Sequence, residues 1–257
     1  MPDIKVPTPI VGEKNPIFRA GFYGEGGLGK TTLLLTFPQV LVIDTDAGLE
    51  GDAVINVQGD EWSPDAWTDL NALYRYIKEK VAKAAATGKG GGYKTIGIDS
   101  IDTLCNFLRH EAENLPSAGR PANRSETTMI TADQQDYGKV ATAVDIFLTK
   151  LRILSQQFGV HIVLTSGVRE IDPDKGRMKR TFDCQPAVEG LLLHWCNVYG
   201  ELDFLPTKKE TDDEHRVLWT KANDRARKNK SRWAALRPGV TDPTFTKMVG
   251  LIEKGTK

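Results

Sequence analysis

The segment "GEGGLGKTT", residues 24–32, constrains this chain more than any other stretch. Four glycines fall within positions 24–29, and Lys30, Thr31 and Thr32 follow at once. Gly24 to Thr31 satisfies G-x-x-x-x-G-K-[ST] at every position, the loop whose backbone N–H groups close on phosphate oxygens. Glycine is required there because the loop needs positive φ and a close approach of backbone to ligand. Lys30 brings a point charge to the β- and γ-phosphates, and the Thr31 hydroxyl is a ligand for Mg2+. The motif works only between a strand and a helix. "IFRAGFY" (17–23) reads as that strand and "KTTLLLTF" (30–37) as that helix, whose first amides add positive potential. The expected phosphate-binding set is Gly24, Glu25, Gly26, Gly27, Leu28, Gly29, Lys30, Thr31 and Thr32.

The remainder alternates in the way such a loop demands. "VLVIDTD" (40–46), "KTIGIDS" (94–100) and "VHIVLTS" (160–166) are short apolar runs that end in polar residues, as buried parallel strands do. Ser63 followed by Pro64 marks the start of a helix reaching about Ala86. "IDTLCNFLRHEAENL" is helical, and Thr131 is the expected cap of a long helix through residue 158. The stretch 168–186 reads as a polar, basic loop. "NVYGELDFL", "HRVLWTKA" and "SRWAAL" read as further strands, with a short helix after "TDP". The expectation is an α/β chain: a mostly parallel sheet flanked by helices, with antiparallel strands added near the C-terminus. Residues 1–16 form an N-terminal extension and residues 17–257 a single domain.

Metal and base chemistry need acids at the carboxyl ends of strands. Asp99, ending "TIGID", is the expected second metal residue, and Ser100 beside it a holder of metal-bound water. Asp44 and Asp46 lie two apart, on one face of an extended segment. Asp46, past the strand end, is placed to orient an attacking water, while either acid also suits a turn or cap.

Composition narrows the classes. Lys+Arg and Asp+Glu balance at 34 each, so net charge points to no polyanion. Seven basic side chains against Asp224 do cluster in "KANDRARKNKSRWAALR", residues 221–237. No run approaches 18 apolar residues, which argues against a membrane span, and "MPDIKVPTPIVGEKNP" is not a secretory signal. Three cysteines without Cys-x-x-Cys spacing suggest neither a disulfide framework nor zinc, hence a reduced, cytoplasmic setting. Trp195, Trp219 and Trp233 read as packing residues.

No Asn-Lys-x-Asp is available for guanine, and Glu25 stands where partition ATPases carry an extra lysine, so ATP is the expected nucleotide. On "GEGGLGKT", "VLVIDTDAG", "IGIDS", "QQDYG", "VHIVLTS" and "RKNKSRWAALRP", the chain resembles the RecA-like ATPases. Within them it is most similar to the short phage-encoded recombinases that anneal single strands. The resemblance spans about residues 17–240.

That resemblance implies a RecA-like core binding ATP and Mg2+, a DNA-stimulated ATPase activity, and recombination on single-stranded DNA in the bacterial host cell. It implies assembly into a ring or filament, with a single-strand-binding protein as a further partner. Asp46 becomes the catalytic carboxylate, beside Lys30. Lys228 and Lys230 of "RKNKS" become cations reaching the ATP of a neighbouring subunit. DNA would be held by two loops, 116–132 and 168–186, through Arg120, Arg124, Arg169, Lys175, Arg177, Lys179 and Arg180, with Phe182 stacked on a base. The chain departs from the family at Thr165-Ser166, where a long polar sensor side chain is usual. Only about 16 residues precede the first strand, and "DIKVPTPIV" suits either an edge strand on a neighbour or a tail. Two other functions fit the same residues: a KaiC-like regulatory ATPase with no DNA role, and a small-molecule kinase.

Overall fold

Strand β1 (Arg19–Tyr23) runs into the glycine loop, and helix α1 (Lys30–Leu35) leaves it. The computed structural model describes residues 16–46, 48–49, 54–56, 66–86, 92–114, 134–171, 179–205, 215–222 and 228–255. In chain order the next elements are β2 (Val40–Asp44), β3 (Val54–Asn56), α2 (Ala66–Ala86), β4 (Thr95–Asp99), α3 (Ile101–Asn114), α4 (Gln134–Phe158) and β5 (His161–Ser166). Then come β6 (Val168–Ile171), β7 (Lys179–Phe182), α5 (Pro186–Trp195), β8 (Val198–Phe204), β9 (Arg216–Trp219), β10 (Lys230–Ser231), β11 (Gly239–Thr241) and α6 (Phe245–Gly255).

The main sheet is ordered β11-β9-β8-β1-β5-β4-β2-β3, with β10 also paired to β8. From β8 through β1, β5, β4 and β2 to β3 every pairing is parallel, whereas β9, β10 and β11 join antiparallel. This is the expected α/β architecture. β1 is central because both its faces are apolar: Ala20 and Phe22 pack with Leu33, Leu34, Phe37, Met248 and Ile252, and Tyr23 packs on the opposite face. Val42 and Val163 face the α1–α6 side, while Leu41, Ile43, Ile162 and Leu164 face α2, α3 and α4. Alternate residues thus enter two cores, and each fully buried Leu, Ile or Phe contributes about 1.5–3 kcal/mol. A Cβ on Gly97 would come within 2.7 Å of Leu34, so glycine in β4 is what lets α1 lie so close to the sheet.

Three elements differ from the sequence expectation. The 168–186 stretch is not one loop: β6 and β7 pair antiparallel from Val168↔Phe182 to Ile171↔Lys179. Its polar residues conceal the strands because Arg180 is buried among acids and Arg169 turns to the buried Glu189. Helix α5 was not anticipated, although Pro186 at its first turn is a start signal. β3 is three residues long, too short for a periodic pattern. The proposed caps Ser63, Pro64 and Thr131 lie outside the described residues, as does the extension 1–15.

Trp195 donates its indole N–H to Leu148 O at 2.8 Å, and the Trp233 ring lies 5.0 Å from that of Phe18, so both serve packing. Cys105, Cys184 and Cys196 are buried free thiols, all pushed up by burial, Cys105 and Cys196 to about 12. Among the described residues no helix is long and apolar enough to cross a membrane.

Candidate active site

The strand order places three chain ends together. Parallel pairing sets Asp44 opposite Asp99 on neighbouring β2 and β4, and Ile98 opposite Leu164, so Asp99 sits beside Thr165. The glycine loop emerges from β1, on the other side of β5.

Within the loop, Gly27 and Gly29 have φ of 80° and 82°, the left-handed region that favours glycine. A Cβ on Gly26 or Gly27 would meet nothing within 4 Å, so the space over this part of the loop is open. Leu28 is buried in the α1–α6 core and anchors the loop from beneath. Glu25 and Thr32 are exposed. Lys30 Nζ folds back over the loop, donating to Gly24 O at 2.9 Å and Glu25 O at 2.8 Å. Burial lowers the Lys30 pKa, while Asp99, Asp102 and Asp46 act in the opposite direction. A phosphate would offer this ammonium stronger, charged acceptors than two peptide carbonyls.

Asp99 is held from both sides. Its Oδ2 accepts the Thr31 hydroxyl at 2.5 Å, and its Oδ1 accepts the hydroxyl of Thr165. These are hard oxygen donors side by side at the foot of the loop. The pair fits Mg2+, which takes one or two protein oxygens and fills its remaining positions with phosphate and water. Bound there, the ion would neutralise charge growing on the phosphates.

Asp44 and Asp46 divide the two roles that adjacent acids can take. Asp44 is buried and closes the turn, accepting the amides of Asp46 at 3.0 Å and Leu49 at 2.7 Å. Asp46 is exposed, with Oδ2 at 3.2 Å from Ser100 Oγ. Thr45 pins this turn to the next strand, since its Oγ1 accepts Ser100 N–H at 2.6 Å and donates to Ser100 O at 2.8 Å. Asp46 and Asp99 are therefore fixed relative to each other by backbone as well as by side chains. Asp46 is thus an exposed carboxylate whose charge acts on Lys30 of the loop.

Asp102, in the first turn of α3, was not anticipated. Its Oδ2 accepts Gly167 N–H at 3.2 Å, immediately past β5, while its buried Oδ1 has no hydrogen-bond partner among the described residues. Burial raises its pKa, against hydrogen bonds from Ser100 and Gly167. It adds a further acid near Lys30 at the end of β5, where Thr165-Ser166 lack a long side chain. Spacing three residues after Asp99 at a helix start was the available signal.

Two of the proposed DNA contacts are corrected by the structure. Phe182 is completely buried, with its ring 4.6 Å from Tyr199 and 5.1 Å from Tyr23, and has no face to offer a base. Arg180 is buried among acids: Nη1 stands 3.1 Å from Glu201 and 3.6 Å from Asp203, Nε 3.8 Å from Glu170, and Nη2 bonds Glu25 of the glycine loop. It serves as an internal counter-ion. Arg169 Nη2 is turned to Glu189 at 3.6 Å. The backbone of Lys179 pairs with Ile171, and its side chain lies outside the described residues, as do Arg120, Arg124, Lys175 and Arg177.

Lys230 opens β10, which pairs with β8, and Lys228 lies two residues before it. Lys230 pairs opposite Tyr199, which faces Gly21 in mid β1, so it stands on the body of the sheet and not at the strand ends. Burial lowers its pKa. Lys228 Nζ pairs with Glu189 Oε1 at 2.9 Å. Asn229 between them is buried and accepts the Tyr23 hydroxyl at 2.7 Å.

A family model described as an AAA domain matches residues 18–233. No curated protein matches the chain. The match runs from β1 to just past β10 and takes in the glycine loop, Asp46 and Asp99. With that coverage, and with Lys30, Thr31 and Asp99 assembled at the strand ends, the chain belongs to this AAA domain family of P-loop ATPase type.

Proposed function

We propose that the chain is a Mg2+-dependent ATPase that acts on single-stranded DNA as an annealing or pairing recombinase, assembled as a ring or filament. The observation carrying the ATPase part is the 2.5 Å contact between Thr31 Oγ1 and Asp99, with Lys30 on the same loop. Lys30 and the loop amides bind and orient the phosphates. Thr31 and Asp99 hold the metal, and Asp46 orients water for attack on the γ-phosphate. The DNA part is supported by the basic residues around the β6–β7 hairpin and before β10, together with the RecA-like motif order. A single-strand-binding protein is a reasonable partner for such an activity.

A second reading, a regulatory ATPase with no DNA role, is favoured by the burial of Phe182 and Arg180. One experiment separates the two. ATP turnover is measured with and without single-stranded DNA, alongside annealing of labelled complementary oligonucleotides, for the wild type and for a variant neutralised at Arg177 and Lys179. Turnover without DNA binding, stimulation or annealing rejects the recombinase reading and leaves the regulatory one. Absence of Mg2+-dependent turnover rejects both.

A further inference from the structure

The guanidinium of Arg216, the first residue of β9, lies on the glycine loop. A Cβ added to Gly29 would collide with Arg216 Nη1, and the same point is 3.6 Å from Thr32 Cβ. Among the described residues this guanidinium has no hydrogen-bond or ion-pair partner, unlike Arg180 with its acids or Arg237, whose Nε donates to Ser231 O at 3.1 Å. Its backbone is nevertheless firmly set. Arg216 N donates to Asp242 Oδ1 at 3.1 Å, and Arg216 O accepts Asp242 N–H at 2.6 Å. A clamped strand residue thus presents an unpaired cation to a loop that already carries Lys30.

Sheet order decides which part of a ligand this cation meets. In the order β9-β8-β1-β5-β4, Asp99 and Arg216 stand two strands from the loop-bearing β1, on opposite sides. The Thr31–Asp99 contact marks the flank where metal and the β- and γ-phosphates belong. The other end of the same molecule then runs toward Thr32, β8 and β9. A guanidinium is planar and weakly hydrated, which suits it to lie against an aromatic base.

We propose that Arg216 holds the nucleoside end of the bound nucleotide, with its guanidinium plane against the base. This rests on the nucleotide-binding reading above and adds a residue, supplied in cis, that distinguishes a nucleotide from a bare polyphosphate.

The test is titration calorimetry of wild type, Arg216→Ala and Arg216→Lys with Mg-ATP and with Mg-tripolyphosphate. Arg216→Ala is expected to weaken ATP binding about five- to thirtyfold while tripolyphosphate changes by less than about twofold. Arg216→Lys keeps the charge but loses the plane, and is expected to follow the alanine variant for ATP. Thermal melting of the free proteins accompanies the titrations, and if the alanine variant does not fold, the lysine variant carries the comparison. Unchanged ATP affinity, or equal losses for both ligands, overturns the assignment. A wild type that binds no ATP overturns the underlying nucleotide reading instead, so the two failures are distinguishable.

Discussion

Lys228 Nζ stands 2.9 Å from Oε1 of Glu189, a carboxylate only 2% exposed. Glu189 also accepts the Thr181 hydroxyl at 2.7 Å and lies 3.6 Å from Arg169. The lysine that the family resemblance would send to a neighbouring subunit is thus a counter-ion to a buried acid of its own chain. Lys228→Ala is expected to destabilise the fold by about 1–3 kcal/mol, because the buried carboxylate loses its closest cation. Urea unfolding measures this, and adding Glu189→Gln is expected to recover most of the loss. If Lys228 also acts across an interface, turnover of the double variant stays low and recovers on mixing with a Lys30→Ala subunit. Full turnover by the unmixed double variant excludes that role.

Asp46 and Ser100 make a second prediction. Asp46→Asn keeps the shape but removes the charge proposed to orient water, and is expected to lower kcat about a hundredfold or more with ATP affinity little changed. Ser100→Ala removes the 3.2 Å contact to Asp46 together with the 3.1 Å bond to Thr103, and is expected to cost about tenfold. Steady-state turnover with equilibrium nucleotide binding checks both. Loss of binding in Asp46→Asn would show that the residue acts on the ground state.

Arg180 links the β6–β7 hairpin to the glycine loop through Glu25 and to β8 through Glu201. Arg180→Ala removes the cation 3.1 Å from the buried Glu201 and is expected to cost about 1–3 kcal/mol. Hydrogen exchange should rise in both hairpin strands and at the loop. A rise confined to residue 180 itself would mean that the network does not join these segments.

His161 makes the fold sensitive to acid. It is half-buried, with Nδ1 accepting Phe18 N–H at 3.1 Å, and partial desolvation, reinforced by Lys94, pushes its pKa down to about 4. The folded state therefore holds it neutral, while the unfolded chain protonates it near its ordinary 6.5. Stability from this residue is complete above about pH 6.5 and is lost as pH falls toward 4, amounting to about 3 kcal/mol at most. Urea unfolding from pH 7.5 to 4.5 should show the decline, and His161→Gln should flatten it. An unchanged slope in the variant assigns the decline to other groups.

Much of the site was legible because its chemistry is local. Strand, glycine loop, lysine and threonine are consecutive, and each acid follows an apolar run, so Lys30, Thr31, Asp46 and Asp99 could be named without knowing which strands pair. Asp102, and the bond that Thr165 donates to Asp99, could not be named, because a carboxylate in a helix turn and a threonine in a strand look ordinary until β4 and β5 are side by side. The hairpin was misjudged for a related reason. "REIDPDKGRMKRTFD" is polar, and polar usually means exposed, but Arg180 is neutralised by acids from β6, from the glycine loop and from β8.

Residue order by itself determined the α/β alternation, the phosphate loop and the acids at the strand ends, because these follow from backbone sterics, apolar periodicity and short-range spacing. Only the tertiary structure decided that Phe182 lies in the core, that Arg180 and Lys228 answer buried acids, and that Arg216 reaches Gly29. Those outcomes depend on which strands flank β1, and on the cost of burying a charge without a partner, which only residues distant in sequence can relieve.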